Sequence, residues 1–111
     1  MNKTPITDPI AIEELLWIQK DGNEILITAK VGRPYKVDDD IWACPAELCG
    51  VDNQYPDMRG VGSMQALGLA MSVIKMRLGH LIEDGEKLYY PDDKTSMFDN
   101  GSLDALFGKN N

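Results

Sequence analysis

Histidine is almost missing from this chain: His80 is the only one in 111 residues. One imidazole excludes metal sites built on several histidines and acid–base schemes that need a pair, and no Ser or Cys is matched to it as a nucleophile. Cysteine is scarce too. Cys44 and Cys49 have four residues between them and no second pair to join, so both the spacing and the ligand count rule out a zinc site. In an extended segment their odd separation points them to opposite faces, which disfavours a disulfide and leads us to expect two free, buried thiols in a reducing compartment.

A long hydrophobic run is also lacking. The most apolar stretch, residues 64–82, is interrupted by Gln65, Ser72, Lys75, Arg77 and His80, so it is not expected to span a bilayer. The opening Met1-Asn2-Lys3-Thr4-Pro5 leads into Thr7-Asp8-Pro9 without the apolar region of a secretion signal, and a cytoplasmic location is expected.

Charge is plentiful but uneven. The net −7 arises from a balanced first third, a strongly acidic block over residues 38–60, a basic stretch over 61–82 that holds Lys75 and Arg77 and no acid, and an acidic end over 83–111. Such a surface repels phosphate backbones, so direct binding of nucleic acid is not expected, whereas a basic protein would be attracted and steered.

The apolar pattern predicts one α+β domain over residues 1–90 and a polar, acidic tail over 91–111. Residues 10–19 and 24–31 flank Asp21-Gly22, which predicts a hairpin closed by a type I′ turn. In the second arm Ile25, Ile27, Ala29 and Val31 alternate with Leu26, Thr28 and Lys30, the period of a half-buried strand. Residues 41–50 read as a further strand with Trp42, Cys44, Ala46 and Leu48 on one face, and Pro45 makes that strand an edge or a bulge. Residues 57–61 and 88–90 read as short strands, and 51–56 as a loop with Tyr55 near its tip. At Ser63 the period changes to that of a helix, with Ser63 as its N-cap; Leu67, Ala70, Met71, Ile74, Leu78, Leu81 and Ile82 form the apolar face. Gly85 stops it. A cluster of Leu103, Leu106 and Phe107 predicts a short helix near the end. The fold expected is thus an antiparallel sheet of three to four strands packed by one long helix over about residues 63–84, with a short C-terminal strand or helix.

No motif in this pattern carries chemistry. Gly60-Val61-Gly62-Ser63 precedes a helix but lacks the P-loop lysine and the third glycine of the dinucleotide fingerprint, so it reads as a sheet-to-helix turn. Asp38-Asp39-Asp40, with Asp52 or Asp57, lacks the spacing and terminal Glu of a calcium loop. We therefore expect no enzymatic activity, no cofactor and no metal. His80 reads as a surface residue and the methionines as core fillers.

At Gly62-Ser63-Met64-Gln65-Ala66-Leu67-Gly68-Leu69-Ala70 the chain resembles a family of small bacterial domains in which a strand precedes a Gly/Ser-x-Gln-Ala-Leu-x-Leu-Ala helix start. The resemblance covers roughly residues 10–90, implies an antiparallel sheet packed by one long helix, and brings no catalytic residues. The overall profile, small and acidic without an enzyme motif, is similar to that of the immunity proteins of bacterial toxin systems, including contact-dependent growth inhibition. That likeness implies a protein that binds and neutralises a cognate basic nuclease toxin domain. Asp38, Asp39, Asp40, Glu47, Asp52 and Asp57 are the carboxylates expected to meet the toxin, and Tyr55, with Trp42, the anchor expected to hold it. The chain would act as a monomer or homodimer. The alternative is a small-ligand binding module or accessory subunit using the groove between helix and sheet.

Overall fold

The computed structural model describes residues 5–52 and 55–109. Positions 53 and 54 of the expected 51–56 loop, residues 1–4 of the stretch read for a leader, and residues 110–111 of the tail lie outside the described residues.

The first two strands form the hairpin that Asp21-Gly22 signals. β1 (Ala11–Ile18) and β2 (Glu24–Val31) pair antiparallel along their whole length, from Ala11 opposite Val31 to Ile18 opposite Glu24. The turn is not type I′. Only Gly22 has positive φ (91°), Gly22 N donates to Gln19 O at 2.9 Å, and Gln19 N donates to Asn23 O at 2.8 Å. That is a three-residue loop with glycine in the left-handed position, fixed by Asp21 Oδ1 accepting from Asn23 N at 2.9 Å.

The expected strand over 41–50 is two strands in two different sheets, β4 (Trp42–Cys44) and β5 (Ala46–Cys49). Pro45 is the cause: it has no N–H to donate, so the ladder breaks there. The partner strand breaks at the same level, at Gly32-Arg33-Pro34, where β2 gives way to β3 (Tyr35–Lys36). Below the break Val31 pairs with Ala46; above it Tyr35 pairs with Ala43. Gly32 is needed at this bend, since a Cβ there would lie 2.6 Å from the Pro45 ring, while Gly32 N donates to Pro45 O at 3.0 Å.

The bent ribbon feeds two antiparallel sheets, so the sheet expected to have three or four strands is replaced by one of five and one of three. The five-stranded sheet runs β5-β2-β1-β7-β8, and the three-stranded one β3-β4-β6. β6 (Met58–Gly60) and β7 (Lys87–Tyr90) match the short strands read from the sequence; β8 (Asp93–Met97), pairing with β7 across a bulge, was not expected.

α1 (Ser63–Glu83) crosses the inner faces of both sheets and buries Ala66, Ala70, Ile74, Leu78 and Leu81 against Leu15, Ile27, Leu48 and Leu88. Each such Leu or Ile withdrawn from water contributes roughly 1.5–3 kcal/mol, so the helix is held mainly by its packing. Ser63 is its first residue rather than its cap. The cap is Gly62, with no side-chain hydrogen bond; instead Gln65 Oε1 reaches back to accept from Val61 N at 2.6 Å. Gly60 is required for a different reason: a Cβ there would fall 2.7 Å from Ala66 N, because β6 ends directly against the first turn of α1.

Residues beyond Pro91, read from sequence as a polar tail, include part of the core. Phe98 is buried and meets Tyr90 edge-on at a centroid distance of 5.7 Å. α2 (Asn100–Phe107), capped by Asp99 accepting from Ser102 N at 3.0 Å, buries Leu103 against α1. Its seat is the side of α1 at Gly79, where Leu103 packs close enough that a Cβ would meet it at 3.6 Å, and Lys75 Nζ closes it by donating to Gly108 O at 2.8 Å.

Candidate functional site

The acidic block divides into carboxylates turned outward and carboxylates used inside. Asp38, Asp39 and Asp40 sit at the tip of the β3–β4 hairpin, all three exposed. Asp38 Oδ1 accepts from Asp40 N at 2.9 Å and from Ile41 N at 3.0 Å, and Val37 N donates to Ile41 O at 2.8 Å. This local ring fixes the tip without using the side chains of Asp39 or Asp40. Among the described residues neither of these enters an ion pair, so they present two carboxylates on a held backbone.

The other candidates are placed elsewhere. Asp52 follows β5 and takes both arms of Arg77 from α1, Nε to Oδ2 at 2.6 Å and Nη2 to Oδ1 at 3.3 Å. Tyr55, buried, donates its hydroxyl to the same Oδ2 at 2.6 Å. Arg77 holds the Asp52 carboxyl below the usual range, helped by Tyr55 against the opposing effect of burial. Burial and the neighbouring carboxylate push the Tyr55 phenol well above its ordinary value. Arg77 Nη1 also lies 3.2 Å from His80 Nδ1, one turn along α1. These residues make a knot that ties the loop after β5 to the long helix, and Tyr55 is a core residue rather than an exposed anchor.

Asp57 is buried and accepts from the Tyr35 hydroxyl at 2.5 Å, bracing the small sheet from within. Glu47, half-buried opposite Lys30, receives Ile6 N at 3.4 Å and lies 3.9 Å from the Cys49 sulfur. Cys49 is exposed, against the expectation that both thiols are buried; Cys44 is fully enclosed, and burial followed by the charge of Asp57 pushes its thiol up to about 11. Trp42 is half-buried in β4.

A groove of about 450 Å³ lies between α1 and α2, and its floor and walls include Gly68, Ser72, Met76, His80, Leu103 and Phe107. The space between helix and sheet is smaller, about 100 Å³, and almost wholly apolar, with Leu106 and Phe107 of α2 among its lining. Among the described residues no three His, Cys, Asp or Glu side chains gather as a metal site. Among the described residues no helix is long and apolar enough to cross a membrane.

Residues 12–98 match the family described as a domain of unknown function, DUF6968. This chain belongs to the DUF6968 family. The matched region runs from β1 to Phe98, so it holds both sheets, the acidic hairpin, the Asp52–Arg77 knot and all of α1, and leaves α2 outside. No curated protein and no solved structure matches the chain.

Sequence reasoning missed Arg77 and Tyr35, the groups that take Asp52 and Asp57 inward. Arg77 had one signal, as one of two charges in an otherwise neutral stretch of 22 residues over 61–82. Tyr35 had none, because the bend at Gly32 decides what it faces. The walls that Leu103 and Phe107 give the α1–α2 groove were foreshadowed by the apolar cluster near the end of the chain.

Proposed function

We propose that this chain is a non-catalytic protein-binding domain, an immunity protein that neutralises a cognate basic nuclease toxin domain in the cytoplasm. One observation carries the reading: Asp39 and Asp40 stand exposed at a hairpin tip whose backbone is already fixed by Asp38, with no cation among the described residues paired to them. A pre-fixed pair of carboxylates meets a cationic phosphate-binding site with little ordering to be lost, and the net charge of −7 speeds the encounter. The contact surface then centres on Asp38–Asp40 with Val37; Asp57 serves it by holding Tyr35 at the base of the hairpin, while Asp52, Tyr55 and Glu47 are engaged elsewhere in the fold.

The reading is tested by co-expressing the chain with the toxin domain encoded beside it. Cells should survive, and the double variant D39N/D40N should lower the association rate at least about tenfold at low salt, with the gap closing as salt is raised. Survival no better than with an empty vector would remove the proposal. A second reading, a small-ligand module, is favoured by the α1–α2 groove, whose 450 Å³ lies within the range of ligand sites and whose rim offers Lys75, His80 and Glu83.

A further inference from the structure

The first three turns of α1 carry an outward face that nothing in the fold explains. From Gly60 to Ile74 the sequence has no charged residue, in a chain with 29 of them. Exposed helix faces are normally charged, yet here Val61 is 73% exposed, Met64 86%, Met76 51% and Leu69 42%. Gly68 lies among them in mid-helix, where glycine weakens a helix relative to alanine. A Cβ at Gly68 would touch nothing within 4 Å, so no internal contact demands the glycine.

The pattern of this face is specific. Met64, Gly68, Ser72 and Met76 follow one another at four-residue spacing and form a single ridge, of the kind that crosses its counterpart in the commonest class of helix pair. Its chemical order, methionine, small, small, methionine, reads the same in both directions. A two-fold axis midway between Gly68 and Ser72 would bring Gly68 of one copy onto Ser72 of the other at the crossing, and Met64 onto Met76 on either side. An isologous contact needs this self-complementarity, and methionine adapts to the fit.

Two further observations choose a second copy over another partner. The face continues an interface already in use: Gly79, eleven residues and about three turns after Gly68 on the same side, is where α2 seats Leu103. Charge allows the same choice: the chain carries no charged residue from Gly60 to Ile74, and Lys75 and Arg77 beyond it are paired within the chain to Asp104 and Asp52, so two copies of net −7 can meet where neither brings an unpaired charge. A basic partner would have no reason to prefer an uncharged face. The outer face of the large sheet is a poorer seat: its apolar row of Leu26, Leu16, Tyr89 and Met97 is flanked by Glu14, Glu24 and Lys87, and a Lys94–Glu24 ion pair of 2.8 Å joins strands with two others between them.

We infer that the chain forms an antiparallel homodimer through the Met64–Gly68–Ser72–Met76 ridge of α1, the groove beside α2 receiving a methionine of the partner. This is independent of any toxin binding at the acidic hairpin, which lies on another element.

Sedimentation velocity over a range of concentrations tests it. The wild-type chain should sediment as a dimer, and the variant M64E/M76E, altered only at exposed positions and checked for an unchanged circular dichroism spectrum, should sediment as a monomer with at least about a hundredfold weaker association. Orientation is read by a short bifunctional maleimide on C49S chains: a mixture of M64C and M76C chains should cross-link far more than either alone. Wild type that stays monomeric at the highest soluble concentration overturns the inference and leaves the face to a different partner. A dimer indifferent to M64E/M76E, or preferential linking of two M64C chains, overturns it as well.

Discussion

Replacing Arg77 by methionine should destabilise the fold by about 2 kcal/mol, and that loss should disappear in acid. The guanidinium contacts Asp52 through two nitrogens, at 2.6 and 3.3 Å, with side chains 30% and 27% exposed. A hydrogen bond to a charged group contributes roughly 1.5–3 kcal/mol, and water at the partly open pair holds the value to the lower half of that range. Methionine keeps the length and apolar stem of the arginine but leaves the Asp52 charge with only the Tyr55 hydroxyl. D52N removes the charge and keeps the acceptor for Tyr55, so a cycle of R77M, D52N and the double variant isolates the pair. Urea unfolding at neutral pH should give a coupling of about 1–1.5 kcal/mol.

The sign with pH follows from the lowered value of Asp52. A carboxyl whose folded-state pKa lies below its unfolded value of about 3.9 contributes its stability above that value and loses it as pH falls through the folded one. The wild type and R77M should therefore differ by a constant amount above about pH 5 and converge below about pH 4. A neutral-pH coupling under about 0.3 kcal/mol, the scatter of independent sites, would refute the knot as a fastening; so would a difference that persists unchanged in acid.

Two other expectations follow from the packing. Cys44, with its thiol raised from 9.0 to about 11, contributes stability that is complete below pH 9 and is lost as pH climbs toward 11, on the order of 2–3 kcal/mol in all; C44A should flatten that alkaline slope, and thermal melts from pH 8 to 11 with equal slopes for both chains would show the thiol to be irrelevant. Gly60→Ala should cost about 1–3 kcal/mol, because its Cβ meets Ala66 N at 2.7 Å, whereas Gly68→Ala, which meets nothing, should raise monomer stability by about 1 kcal/mol at high dilution. Equal effects of the two substitutions in denaturant titrations would count against the close approach of Gly60 to Ala66.

Some of this molecule could be read along the chain because the signal repeats locally. The alternation from Ile25 to Val31 and the recurrence from Ala66 to Leu81 each state, residue by residue, which side faces the core, and β2 and α1 lie as those periods require. After Pro91 the polar composition carried no strand signal for β8 and none for the burial of Phe98. The cluster at Leu103, Leu106 and Phe107 marked a helix but not its seat: the burial of Phe98 and Leu103 depends on surfaces that β7 and α1 present to them from earlier in the chain.

The candidate site was legible only as composition. An acidic block at residues 38–60 is plain in the sequence, but carboxylates of one kind meet different ends: Asp39 and Asp40 face water, Asp52 faces Arg77, and Asp57 faces Tyr35. By itself the sequence determined the periods, the places where proline and glycine interrupt pairing, and the overall balance of charge, since these depend on a residue and its near neighbours. Tertiary structure decided that Pro45 would divide one strand between two sheets, which carboxylates would be taken inward, and which helical ridge would be left bare, because each is settled by what another part of the chain brings to the same place.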